Sequence, residues 1–220
     1  MAVEESIMNK VITSCLALAA ALTLAQADDA RAIPFGFYVI EDNAPQVIEG
    51  QLFVDVTDQG LGAILFQFQN LGPIESSITD IYFDDVGILN SMDFVYYPGD
   101  TVLFDTPATP PDLPGGGPYS FTADFSADSD NPSVQKGINP GEMLGILFNS
   151  PVSFDQVIAH INDGTIRVGL HVQGIGPEGQ YSEAFINNPN PAPVPEPATI
   201  MLFGSGLVAF PIIRRRFGKR

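Results

Sequence analysis

Two stretches of the chain hold residues dense enough in polar groups to do chemistry. In the first, Asp124, Asp128, Asp130 and Asn131 fall within one short run. Closely spaced carboxylates and an amide can offer the six to eight oxygens that Ca2+ takes, so Ca2+ is the cofactor this spacing would accept. The run lacks the glycine and the distal glutamate of an EF-hand loop, and an acidic turn is the plainer reading. Asp84 and Asp85, ahead of Gly87, could add ligands from a neighbouring loop or simply cap a turn. The second stretch is Pro195-Glu196-Pro197, an acid held between two rigid residues. Other chemistry finds little to build on. His160 and His171 stand outside any H-E-x-x-H or paired metal-ligand spacing, His160 off the apolar stripe of a predicted helix and His171 on the wet face of a predicted strand. The single cysteine, Cys15, lies in an N-terminal apolar segment, and Gly204-Ser205-Gly206 sits inside a second one rather than in a G-x-S-x-G elbow. No catalytic residue is expected, and the chain is read as a non-enzyme. A sugar could stack on Tyr96, Tyr97, Tyr119 or Tyr181, although edge and core packing explains these rings as well.

The elements around these residues divide the chain into four parts. Residues 1–32 read as a secretory signal: Lys10 precedes an apolar run from Val11 to Leu24, and small-x-small sites follow at Ala25-Gln26-Ala27 and Ala30-Arg31-Ala32. Met8 is the better initiator, because Glu4 and Glu5 are unwelcome ahead of such a run. Ile12 to Cys15 looks like a lipoprotein box, but most of the apolar run comes after it. Residues 188–193 form a Pro/Asn linker, in which alternate prolines favour an extended chain. The last part, 194–220, places an uncharged apolar run at 198–213 before the basic tail 214–220. As a helix that run would rise about 24 Å at 1.5 Å per residue, short of a hydrocarbon core of about 30 Å. The long side chains of Arg214, Arg215 and Arg216 would make up the difference by reaching to the headgroups. The expectation is a transmembrane helix in a transient precursor.

These residues carry a family resemblance. Val194, Pro195, Glu196, Pro197, Ala198 and Thr199, followed by the short apolar run and Arg214 to Arg216, closely resemble the PEP-CTERM sorting signal of Gram-negative bacteria that make exopolysaccharide. The resemblance covers about an eighth of the chain. It implies an exosortase as partner, a membrane cysteine protease or transpeptidase that cuts near the proline-acid motif. It also implies passage through the inner membrane to the cell surface or the exopolysaccharide matrix of a biofilm.

The part between, 33–187, is strongly acidic. The stretch from Ile33 to Pro193 keeps two basic residues, Lys136 and Arg167, against 21 acidic ones, a net charge near −19. Nucleic acid is excluded as a partner, since binding phosphate requires cations that displace counterions. Short alternating runs separated by turn residues predict an all-β antiparallel sandwich of jelly-roll or immunoglobulin-like type with one short helix. The expected strands are Phe35 to Ile40, Gln51 to Thr57, Ala63 to Gln69, Ser77 to Phe83, Met92 to Tyr97, Thr101 to Phe104, Ser120 to Phe125, Met143 to Phe148, Thr165 to Gln173 and Ser182 to Ile186. Ser153 and Gln156 spell a capping box for the helix, whose apolar face is Phe154, Val157, Ile158 and Ile161. Asp105 to Tyr119 and Ser126 to Gly141 are expected as long loops. Taken with what the resemblance implies, the chain reads as a secreted or surface-sorted protein without catalysis, with a Ca2+- or carbohydrate-binding module as the alternative and a hydrolase as the least favoured reading.

Overall fold

The computed structural model describes residues 32–189. Ten strands run antiparallel: β1 (Ala32–Glu41), β2 (Leu52–Gly60), β3 (Ala63–Asn70), β4 (Ser77–Asp84), β5 (Asn90–Tyr96), β6 (Phe104–Asp105), β7 (Phe125–Ser129), β8 (Met143–Asn149), β9 (Arg167–Ile175) and β10 (Tyr181–Asn187). Two α-helices accompany them, α1 (Ser133–Lys136) and α2 (Phe154–Asn162), with single 3-10 turns at Glu49–Gln51 and Gly117–Tyr119. Hydrogen bonding links the strands in one order, β5-β8-β3-β2-β1-β10-β9-β4-β7-β6.

The hinge of that order is β1. Its first half, Ala32 to Gly36, pairs with β2, and its second half, from Phe37 onward, pairs with β10. One strand therefore belongs to both layers, and the single sheet wraps into a barrel-like sandwich. On the far side the wrap is completed by side chains. Tyr96 Oη, on edge strand β5, donates to Phe104 O at 3.0 Å and accepts from Phe104 N at 3.3 Å, tying β5 to the other edge strand, β6.

Between the layers lies an aromatic core. Phe83 from β4 meets Phe66 at 5.2 Å, Phe68 at 6.0 Å and Phe148 at 4.7 Å between ring centroids, and Phe125 meets Phe148 at 5.3 Å. All four contacts are edge-to-face, the geometry ring quadrupoles prefer. Each fully buried ring contributes about 1.5–3 kcal/mol, so without a disulfide the rings carry much of the fold. Strand β3 shows how the sequence sets this up: Ile64, Phe66 and Phe68 are buried while Leu65, Gln67 and Gln69 alternate outward.

Strand β4 departs from alternation, for all eight of its residues are buried. A register shift between Ile78 and Asp80 lets both Ile78 and Ile81 enter the core. The opposite face, with Asp80, Tyr82 and Asp84, is covered by the segment from Asp105 to Asp124. There Leu113 and Phe121 cluster with Tyr82, Ala108, Ala184 and Ile186 in a second apolar layer. Gly169 in β9 makes the seat: a Cβ there would come within 2.7 Å of Leu113 Cδ2 and 3.1 Å of Phe121 Cζ.

The expected all-β antiparallel class and most strand positions agree with the structure, and three expectations are corrected. Ser120 to Phe125 is not a strand; the strand is β7, five residues later, because Phe125, Ala127 and Ser129 alternate inward. Of Thr101 to Phe104 only Phe104 pairs, followed by Asp105. The second expected loop, Ser126 to Gly141, contains most of β7 and the one-turn helix α1. The longer helix, α2, begins as read: Gln156 N donates to Ser153 Oγ and Ser153 N to Gln156 Oε1, completing the capping box.

Strand directions define two poles. One pole, called proximal here, holds α2, the start of β1 at Ala32 and the end of β10, where Asn188 N donates to Gly36 O at 2.8 Å. The distal pole holds the connections 42–51, 71–76, 97–103, 130–142 and 176–180.

Candidate functional site

The acidic run predicted to hold Ca2+ lies mostly on β7, where outward positions alternate with core ones. Asp124 stands at its proximal end and accepts from Asp85 N at 2.9 Å and Val86 N at 3.2 Å. Asp128 lies four residues along the strand, about 13 Å away at roughly 3.3 Å per residue, and accepts from Thr109 N at 3.2 Å. Asp130 and Asn131 are exposed at the distal end. The strand thus spreads the four along a line instead of closing them around a point. Among the described residues, no group of three or more His, Cys, Asp or Glu side chains is arranged to hold a metal ion.

Asp84 and Asp85 part company. Asp85 is fully buried and caps the turn that follows, accepting from Leu89 N and Gly87 N. Burial pushes its carboxyl above the usual range, the turn amides partly offset that, and the neighbouring Asp124 adds to the rise. Asp84 pairs with Arg167 and accepts from Thr122 N at 3.2 Å. Arg167 also donates to the carbonyls of Tyr119 and Ser120, both at 2.7 Å, and lies 5.3 Å over the Phe121 ring. It works as a clamp on the covering segment.

Sequence reasoning missed a polar row on the outer face of β4. Strand register sets His171, Asp80 and Asp128 side by side across β9, β4 and β7. His171 Nδ1 lies 2.9 Å from Asp80 Oδ2, which also accepts from Thr79 Oγ1 at 2.7 Å. The Tyr82 hydroxyl donates to Pro110 O at 3.1 Å; burial, then the charges of Asp80 and Asp128, push its pKa upward. His171 was expected on a wet face, yet its side chain is 16% exposed and that of Asp80 6%. The signal available was the proline-rich segment, which reads as a loop but folds as a roof. His160 does lie off the buried stripe of α2, 3.8 Å from Asp163.

At the distal pole a cavity of about 250 Å³ opens between the 42–51 connection and the β9–β10 turn. Tyr181, one of the four tyrosines singled out for sugar stacking, lines it; Tyr96 instead joins the edges, and Tyr119 packs against Tyr38 with ring centroids 6.5 Å apart.

The proline-acid motif, Val194 to Thr199, and Arg214 to Arg216 lie outside the described residues, as do the expected transmembrane helix at 198–213 and all but the last residue of the expected signal. What the structure gives is where the described chain ends: β10 finishes beside the middle of β1, toward the proximal pole. Residues 193–216 match the family model described as the PEP-CTERM protein-sorting motif. The chain carries that sorting signal. The match supports export and exosortase-processed sorting to the cell envelope or surface. No curated protein and no solved structure matches the chain. No helix among the described residues is long and apolar enough to cross a membrane.

Proposed function

We propose that the PEP-CTERM signal delivers a non-catalytic β-domain to the exopolysaccharide matrix around the cell, after a stage as a precursor anchored in the inner membrane. The observation that carries this reading is the sorting motif at residues 193–216, following directly on the last strand through a short proline-rich linker. The acidic domain supports it, since self-repulsion near −19 favours a solvated, dispersed protein outside the cell. A structural role also suits the one His–carboxylate pair on the outer face. His171 and Asp80 are roofed over, and the hydroxyl beside them is held protonated.

The test is processing. Glu196→Ala and Pro197→Ala should each leave an uncut precursor in the inner-membrane fraction, while Lys136→Ala, in the folded domain, should be trimmed and released from that fraction like the parent. Equal trimming of all three would reduce the tripeptide to linker and remove the matrix reading with it. A second reading, a carbohydrate-binding module, is favoured by the distal cavity.

A further inference from the structure

Two turns at the proximal pole share one anomaly. β2 turns into β3 through Leu61 and Gly62, with Gly60 paired to Ala63, and β4 leads out through Val86 and Gly87, where Ile88 N donates to Asp85 O at 3.2 Å. All four central residues have positive φ, 54° and 82° in the first turn and 48° and 81° in the second. Tight turns of this kind favour Asn-Gly or Asp-Gly, because a short polar side chain tolerates the left-handed region. Here leucine or valine takes that place, and a β-branched residue is least at ease there. Burial does not offset the cost, for Leu61 is fully exposed and Val86 is 69% exposed.

The two turns stand side by side. Ser150, just after β8, donates from N to Gly62 O at 2.8 Å and from Oγ to Ile88 O at 3.2 Å, tying one turn to the other. Pro151 beside it is exposed, and Ile88 and Val152 are half-buried. The pole thus carries an apolar patch headed by two projecting side chains. A carboxylate stands behind each: Asp58 Oδ1 accepts from Gly60 N at 2.8 Å, and Asp124 Oδ2 from Val86 N at 3.2 Å.

The length of chain beyond the last strand indicates what covers this patch. β10 runs toward the proximal pole, and its last residue, Asn187, pairs with Phe37, five residues from the pole at Ala32. Ten residues, 188–197, separate β10 from the apolar run that begins at Ala198. They reach at most about 36 Å, and about 17 Å of that is needed to arrive at the pole. With the run in a bilayer, the proximal pole is the end of the domain held nearest the lipid. A second copy is the weaker occupant, since two side chains fall far short of the roughly 800 Å² each partner gives a stable interface. Copies with charges near −19 also repel each other.

We propose that Leu61 and Val86 dip into the headgroup layer of the membrane that anchors the precursor, docking the proximal pole on zwitterionic lipid. Two side chains bury too little apolar area to bind a bilayer tightly from solution. The tether makes the contact intramolecular, at an effective concentration in the millimolar range. Asp58 and Asp124 suit ammonium headgroups, while the domain's two cations stand elsewhere, Lys136 at the distal pole and Arg167 paired with Asp84. The inference rests on the anchored-precursor reading.

The chain has no tryptophan, so one introduced indole reports alone. The full-length protein is placed in phosphatidylcholine nanodiscs whose acyl chains carry bromine near the headgroup. Fluorescence of Leu61→Trp and of Val86→Trp should fall at least twofold against unbrominated discs, and that of Leu71→Trp, at the distal pole, should not change. Adding Val86→Asn, the residue such a turn favours, should halve the quenching at Leu61→Trp, and so should discs rich in phosphatidylglycerol. Leu207→Trp, inside the apolar run, tests the anchor separately. Quenching there without quenching at Leu61→Trp and Val86→Trp would overturn the docking alone, and silence at all three would remove the anchored precursor with it. Turn indoles shielded from aqueous acrylamide but untouched by bromine would assign the patch to a protein partner and overturn the proposal as well.

Discussion

Single residues in this protein matter most where two layers touch. Gly169 is the clearest case, because the outer roof rests on the absence of its side chain. In Gly169→Ala the new methyl would enter space held by Leu113 and Phe121, and overpacking of this kind costs about 1–3 kcal/mol. The ends of Leu113 can give a little, so a loss of about 1–2 kcal/mol is expected by urea unfolding. Amides of residues 105–124 should exchange faster at the same time. The same substitution in a Leu113→Ala background should cost clearly less, since its partner has gone. Equal cost in both backgrounds would mean that the roof does not seat on this glycine. Nothing in the sequence marks Gly169 for this role; it reads as one more small residue on the polar side of an alternating strand.

Among the elements, the edge strands carry the most specific expectation. Both β5 and β6 would present unpaired backbone if the wrap were open, a liability for any sheet. The Tyr96 hydroxyl meets both polar groups of Phe104 and so acts for a missing backbone ladder. Tyr96→Phe should lower stability by about 1–2 kcal/mol, because two hydrogen bonds go and the Phe104 amide loses its acceptor. Exchange at Phe104 and Asp105 should quicken while the β2–β3 ladder stays protected; uniform quickening would place the loss in the core instead. Elements of this kind explain what the sequence discloses and what it conceals. Period-two patterns in β2, β3 and β8 are visible because one face meets the core and the other is more open. β9 keeps its pattern because the face under the roof carries Arg167, Gly169, His171 and Gln173. β4 defeats that logic by being covered on both sides, and β7 defeats it because acids and serines occupy positions that a loop would also accept. The buried amide knot at the distal pole is silent too. There Gln51 Nε2 lies 2.9 Å from each of Asn70 Oδ1, Ile74 O and Ser76 Oγ, its two hydrogens shared among the three acceptors, joining residues whose neighbours in sequence give no hint of one another. Of the candidate sites, the sorting motif was fully legible because it is linear. The cavity was not, since its two segments lie some 130 positions apart.

The molecule as a whole is an acidic body that folds with several of its acids shielded. Burial raises the carboxyls of Asp55, Asp85, Asp128 and Glu183 above their ordinary values. Glu142 goes the other way: burial opposes ionisation, but hydrogen bonds from Thr101 and Asn139 together hold it lower. A carboxyl whose folded value is raised adds stability below its unfolded value and loses that stability as pH climbs through the folded one. Four raised groups stand against two lowered ones, Glu142 and the exposed Asp163, which hydrogen bonds from Thr165 hold down. Melting temperature should therefore rise as pH is lowered from about 7 to about 5, with the two lowered groups weakening the fold only at still lower pH. Glu183→Gln keeps an acceptor for the Ala44 amide, bonded at 2.9 Å, and should melt higher at neutral pH with a shallower slope. A parent protein that melts lower at pH 5 than at pH 7 would refute the assignment. The placement of β10 has a mechanical consequence. If the domain is held through the chain beyond β10 and loaded at the far pole, tension runs along β10, whose bonds to β1 and β9 stand across that line. Such bonds are sheared together instead of unzipped in turn, so the last strand before the sorting signal is also well braced against being drawn out.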